Sequence, residues 1–201
     1  MAPRAIHLLV FDGFADWEPA HAVAELRRWG KRDVRTVGFS TEPVTSMGGV
    51  RVLPDLALCE VRPEGIELLI LPGGEMWEHG QYPRHLLDVL ATTLIDNGRP
   101  VAAICGATLA LARMGALNER RHTSNAPEYL TSHAPEYTGD AFYVDAPAVS
   151  DDHVITASGL ADVDFAREIF SALKVFSATD EALWFTMFKY GRLPDHIRAP
   201  A

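Results

Sequence analysis

Cysteine is scarce in this chain. Two occur in 201 residues, Cys59 and Cys105, with no Cys-x-x-Cys pair and no Cys/His cluster at metal-ligand spacing. Neither a zinc centre nor a disulfide framework is therefore expected, and no metal or other cofactor is assigned. Two thiols in a reducing compartment are expected to be free. Positive charge is also short: 18 Lys and Arg stand against 27 Asp and Glu, a net charge of −9. Such a surface repels phosphate backbones, so nucleic acid is not an expected partner. No apolar run approaches the roughly 20 residues of a membrane helix, which excludes a membrane-spanning role from the reading. The opening "MAPRAIHLLVFDG" breaks at Asp12-Gly13. That is too short for a signal peptide's core and cleavage site and reads as a first strand, so a cytoplasmic location is expected. Repeats, low-complexity tracts and linkers are missing too. One domain over 1–201 is expected, long enough to bury its own core.

What is present is an alternation. "AIHLLVF" (5–11) is strand-like, and "DWEPAHAVAELRRWG" (16–30) predicts a helix with Asp16 as its cap and Gly30 at its end. "DVRTVGFS" (33–40) and "VRVLPD" (50–55) predict strands around a turn at "SMGG". "ELLILPGG" (67–74) predicts a strand buried on both faces. "YPRHLLDVLATTLIDNG" (82–98) carries Leu87, Leu90 and Leu94 on one helical stripe. Between 116 and 160 the pattern turns to short strands, including "AFYVD" and "HVITAS", with a turn at Asp151-Asp152. Helices follow over 162–176 and 180–191. The last forms a C-terminal helical extension at about 177–191, whose Leu183, Trp184, Met187 and Phe188 recur at core-packing spacing. The expected class is α/β, a three-layer sandwich around a mostly parallel sheet. In such sheets ligands bind beyond the carboxyl ends of the strands. Asp12–Glu18, Pro72–Glu75 and Cys105–Gly106 all fall there.

"RPVAAICGATLALARMG" (99–115) places a thiol between a buried strand and a helix over roughly 107–114, with Gly106 as the only spacer. A strand-to-helix elbow exposes its central side chain above the sheet. The helix start directs free N–H groups and a positive dipole end at the sulfur, which predicts a lowered Cys105 pKa. The Gly106 N–H is placed to hold an oxyanion. Read from the pattern alone, Cys105 is equally well a small buried core residue.

"FDGFADWE", "LLILPGGEMW", "VAAICGAT", "ALARMGALNERRHTSN" and "VITASGLADVDFAREIF" together resemble the ThiJ/PfpI superfamily over about residues 5 to 175. Its type 1 glutamine amidotransferase-like group, with the class I glutamine amidotransferase or flavodoxin-like fold, is the most similar. The resemblance implies that Cys105 is the elbow nucleophile and that Glu18 is the acidic residue beside its sulfur. It implies an oxyanion hole from the backbone N–H groups of Gly74 and Gly106, and a homodimer. With a carboxyl against a thiolate, the two groups do not both ionise cheaply, so Glu18 is expected to hold a proton. Glu75, Trp77 and His79 follow "LPGG" directly and are candidates to line a pocket, or loop residues facing solvent.

Many relatives complete a Cys–His pair on the next strand. Here Asn125 takes that place, and asparagine cannot act as a general base at neutral pH. His122 lies at an odd offset and reads as a surface or loop residue. Asp162 and Asp164 read as helix caps. The function expected is a cysteine-nucleophile enzyme of hydrolase, lyase or amidase type acting on a small molecule. The alternatives are a redox-responsive stress protein whose Cys105 is oxidised to sulfenic or sulfinic acid, and a non-catalytic binding module that keeps the fold.

Overall fold

The computed structural model of the chain describes residues 4–193. The strands are β1 (Ala5–Leu9), β2 (Val34–Gly38), β3 (Val44–Thr45), β4 (Arg51–Val52), β5 (Leu56–Ala57), β6 (Ile66–Leu71), β7 (Val101–Ile104), β8 (Ala148–Asp151) and β9 (Val154–Ala157). The helices are α1 (Ala20–Arg28), α2 (Met76–His79), α3 (Arg84–Asp96), α4 (Thr108–Arg113), α5 (Pro127–His133), α6 (Asp162–Leu173) and α7 (Ala178–Tyr190). Seven strands form one sheet in the order β5-β2-β1-β6-β7-β9-β8, and β3 pairs with β4 in a separate hairpin. Only the β8–β9 pair of the large sheet is antiparallel.

The apolar runs explain the layering. Every residue of β1, β7 and β9, and five of the six in β6, is buried. Strands buried on both faces need helices on both faces. α1 and α6 pack together in one layer with α7 outside α6, while α3, α4 and α5 form the other. The predicted stripe of Leu87, Leu90 and Leu94 is the buried face of α3.

Several boundaries move for local reasons. The strand expected over 50–55 shrinks to Arg51–Val52, since Pro54 has no N–H to continue a ladder. "AFYVD" is not a strand. Asp140–Phe142 forms a 3-10 turn, and the flanking backbone is held through His122, whose N–H donates to the Phe142 carbonyl and whose carbonyl accepts from Val144. Residues 127–133 of the segment expected to be irregular are helical, opened by Pro127 at the first turn. Asp16 does not cap α1, which begins only at Ala20; its carboxylate accepts instead from the Ser46 hydroxyl at 2.6 Å, pinning the β3–β4 turn. Asp162 and Asp164 sit in the first turn of α6 rather than at its cap, which is Ala161. In α7, Ser177 caps the helix, but only Trp184 of the apolar set is buried; it lies between Phe170 and Phe188, and Phe188 itself is exposed.

The topology fixes where a site belongs. From β1 the chain moves through α1 to β2 on one side, and from β6 through α3 to β7 on the other. The winding reverses between β1 and β6, and the loops leaving those neighbouring strands diverge to open a crevice at their carboxyl ends. Glu18 follows β1, Gly73 follows β6, and Cys105 follows β7.

Candidate active site

Cys105 closes β7 and opens a 3-10 turn, Cys105–Ala107, that runs into α4. Its φ is 57°, a left-handed conformation that a side chain adopts only under about 1–3 kcal/mol of strain. This is the elbow expected from the Cys-Gly junction. Two further glycines, which sequence reasoning passed over, let it form. A Cβ on Gly73 would lie 2.8 Å from the Cys105 Cβ, and one on Gly159 would lie 2.8 Å from Sγ. Both positions admit hydrogen only.

Glu18 is almost completely buried. It precedes α1, in a turn tied to the end of β6 by both backbone groups of Gly73. The Gly73 N–H donates to Glu18 Oε2 at 2.5 Å, and its carbonyl accepts from the Ala15 N–H at 3.0 Å. The Cys105 thiol also donates to this carboxylate. Burial is the main cause that raises the Glu18 pKa to about 7, against the Gly73 and Cys105 hydrogen bonds that lower it. A proton-holding Glu18 was the expectation, and the direction agrees.

The thiol goes the other way from its expectation. Burial first, and then the Glu18 charge, push Cys105 up to about 11, although the Asn125 amide and the Gly106 N–H both favour the thiolate. The lowered pKa read from the elbow rested on a helix of some eight residues. The helix is six residues long and begins three residues after the sulfur. A helix end is worth only about 0.3–1 kcal/mol at an exposed site, too little to offset burial beside a carboxylate.

Asn125 faces the sulfur. Its Nδ2 lies 3.4 Å from Sγ, while its Oδ1 accepts from the Gly159 N–H at 2.9 Å. The Gly159 donor demands the oxygen on its side and so fixes the amine toward sulfur. Asn125 is exposed and borders an open hollow of about 560 Å³ with Ala126, Tyr143, Pro147 and Ser158.

His122 is not a surface residue. It is fully buried, with Nδ1 2.7 Å from the Arg120 carbonyl and Nε2 2.7 Å from the Tyr137 hydroxyl. The carbonyl only accepts, so Nδ1 carries the proton and Nε2 accepts from tyrosine. Burial lowers its pKa. Both nitrogens are committed to the packing of the 120–143 segment.

The loop after β6 also differs from expectation. Trp77 does not line a pocket: it is fully buried, donates from Nε1 to the Pro72 carbonyl at 2.8 Å, and packs edge-on against Phe11 and Tyr82. Glu75 is exposed and borders a separate depression with Asp12, Met47, His79 and Gln81. Gly74 sits beside Phe11, and its carbonyl would be 3.1 Å from a Cβ on Gly106, so the two loops meet there. The Gly106 N–H is directed at the sulfur. Tyr129 on α5 is half-buried and donates to Glu78 Oε1 at 3.0 Å; nothing in its sequence position distinguished it. Both cysteines are free. Among the described residues no group of three or more His, Cys, Asp and Glu side chains gathers as a metal site, and no helix is long and apolar enough to cross a membrane.

A mostly parallel sheet with a strained cysteine elbow one strand from its switch point, backed by a buried carboxyl, defines a class of α/β proteins built around one thiol. The chain belongs to the DJ-1/PfpI family, whose sequence model matches residues 4–172. It is 40% identical over 196 residues to a Bacillus subtilis protein named uncharacterized protease YoaZ, covering 94% of this chain and 92% of that one. It is 30% identical over 156 residues to the glutathione-independent glyoxalase DJR-1.2 of Caenorhabditis elegans, covering 77% of this chain and 80% of that one. The crystal structure of the DJ-1 superfamily protein Atu0886 from Agrobacterium tumefaciens superposes with a TM-score of 0.86 at 38% identity, covering 94% of this chain and all of that one.

Proposed function

We propose that the protein is a cysteine-nucleophile enzyme acting on a small carbonyl compound, with Glu18 as the sole proton carrier. The observation that supports this is the Glu18–Cys105 contact: a buried carboxyl with a pKa raised to about 7 accepts the thiol proton, while both ring nitrogens of His122 are engaged by Arg120 and Tyr137. As Sγ attacks the carbonyl carbon, its proton passes to Glu18. The carbonyl electrons move onto oxygen, and the N–H groups of Gly106 and Gly74 together with Asn125 Nδ2 hold the resulting oxyanion. Glu18 then returns the proton to that oxygen. With an amide or thioester, collapse of the adduct would expel the amine or thiol together with the proton on the adduct's oxygen and leave an acyl-cysteine; with a 2-oxoaldehyde, Glu18 would move a proton between the two adjacent carbons and leave a 2-hydroxyacyl thioester. In either case attack by water would release the acid and restore the thiol. The relative named as a glyoxalase supports the 2-oxoaldehyde branch. Turnover is tested on a panel of 2-oxoaldehydes, amides and thioesters. Cys105→Ala is expected to abolish it and Glu18→Gln to reduce it at least a hundredfold. A panel without turnover refutes the reading. The homodimer implied by the family is part of this proposal, and sedimentation velocity checks it.

A redox role is the second reading, favoured by the donors that converge on the sulfur. Asn125 Nδ2, the Gly106 N–H and, below pH 7, a protonated Glu18 are all able to hold the oxygens of a sulfinate formed with peroxide as oxidant. Graded peroxide followed by intact mass is the test. Absence of a species heavier by about 32 Da, the two oxygens of a sulfinate, excludes it.

A further inference from the structure

We propose that Thr108 and Ser124 form a buried hydroxyl strut that sets the reactivity of Cys105 by holding Asn125 in register with the sulfur. The turnover arm of its test rests on the enzyme reading above; the alkylation arm does not. Thr108, in the first turn of α4, and Ser124, on the segment that carries Asn125, are both buried. Thr108 Oγ1 lies 2.6 Å from the Cys105 carbonyl and 2.7 Å from Ser124 Oγ. The protons can be assigned. The carbonyl only accepts, so Thr108 gives its single hydroxyl proton to Cys105, and Ser124 must then donate to Thr108 Oγ1. The direction of the chain is fixed: Ser124 to Thr108 to the carbonyl of the strained elbow.

The next residue after Ser124 places its amide 3.4 Å from Sγ and its oxygen on the Gly159 N–H. The elbow is thereby held twice by the same segment, at its carbonyl through Ser124 and at its sulfur through Asn125. The Tyr143 hydroxyl, 3.4 Å from the Ser124 carbonyl, anchors that segment from the far side. Neither hydroxyl touches the reacting atoms. Both are positioning residues, acting through Asn125.

Iodoacetamide alkylation of Cys105 is measured in full-length protein carrying Cys59→Ser, across pH, for Thr108→Val, Thr108→Ser and Ser124→Ala. Valine keeps the volume of threonine and removes the hydroxyl. Thr108→Val and Ser124→Ala are each expected to slow alkylation at pH 8 by about three- to tenfold, no further than Asn125→Ala itself, and to move the pH midpoint upward, while Thr108→Ser stays within twofold of the parent. In an Asn125→Ala background, Thr108→Val is expected to change the rate by less than twofold. Where a 2-oxoaldehyde is turned over, Thr108→Val lowers kcat and leaves KM within twofold. Parent-like alkylation in both Thr108→Val and Ser124→Ala overturns the proposal, as does an equal effect with and without Asn125. If the alkylation pattern holds and no substrate is turned over, the strut stands and the enzyme reading falls.

Discussion

Replacing Gly159 by alanine drives a methyl group into the sulfur. The added Cβ would stand 2.8 Å from Cys105 Sγ, 2.9 Å from its Cβ and 3.2 Å from Glu18 Oε1. Unstrained heavy-atom contacts lie at about 3.5–4.0 Å, so something must retreat by roughly 1 Å. The sulfur has little room to do so, because its residue is held in the left-handed region and at its carbonyl by Thr108. Glu18 is fixed by Gly73 at 2.5 Å. The 159 backbone is therefore the part that moves, and it takes with it the N–H that orients Asn125. Gly159 is not among the residues at positive φ, so alanine brings the clash without a backbone penalty.

Overpacking of this kind destabilises by about 1–3 kcal/mol. A displacement of about 1 Å at a reacting centre is enough for a loss on the order of a hundredfold in rate. Both quantities are read on Gly159→Ala in a Cys59→Ser background, the first by urea unfolding and the second by competitive iodoacetamide labelling with peptide mass spectrometry. The reasoning fails if stability stays within about 0.5 kcal/mol, the usual reach of a neutral surface change, and labelling stays parent-like.

Three further outcomes follow from the same geometry. Tyr137→Phe removes the donor to His122 Nε2 and should cost about 1–3 kcal/mol of stability, read by urea unfolding, while Cys105 labelling stays unchanged; altered labelling would return His122 to the site. Asn125→Ala removes a donor that favours the thiolate and should slow labelling at pH 8 about two- to tenfold, matching a hydrogen bond of about 0.5–1.5 kcal/mol. Glu18→Gln alters the pH dependence of stability. A pKa raised from 4.5 to about 7 on folding means that the folded state holds this proton more tightly than the unfolded chain. Its contribution is full below about pH 4.5 and is lost as pH rises through 7. Between pH 5 and pH 8 the parent should lose roughly 2–3 kcal/mol more than Glu18→Gln in urea unfolding, and equal slopes would show that Glu18 is not proton-bound near neutrality.

The alternation of apolar runs made the layers legible, because a strand buried on both faces leaves a continuous signature such as "ELLIL". The elbow was legible for a similar reason: Cys-Gly interrupts a strand–helix junction where backbone geometry has few solutions. Glu18 and Asn125 came from resemblance rather than from any local pattern. The misreadings share a cause. Trp77 sits in a loop by sequence but fills the space under Phe11 and Tyr82, and His122 sits among polar residues but is sealed by Tyr137 and Tyr143. Burial of both is decided by segments distant in the chain, and a local window does not carry that. Gly159 stayed invisible because its requirement is set by a sulfur 54 positions earlier. The same holds for Ser124, whose partner Thr108 lies 16 residues back on another element.

The thiol's pKa is where the local and the global readings part most sharply, and the difference bears on chemistry. An isolated elbow promises a standing thiolate, activated before any substrate arrives. This site instead keeps a proton between two buried groups. Near neutrality Glu18 ionises first, and the thiol stays protonated against it. On the enzyme reading proposed above, such a sulfur would attack by releasing its proton to the carboxylate during the step, so Glu18→Gln should pull apart two properties that a preformed thiolate would lose together. Removing the Glu18 charge relieves the second-largest cause of the raised thiol pKa, and the labelling midpoint should fall. Turnover should fall as well, because among the described residues Glu18 is the one base that contacts the sulfur. A labelling midpoint that rises in Glu18→Gln would mean that the carboxyl supports the thiolate by donating to it, and that Cys105 works as a preformed nucleophile.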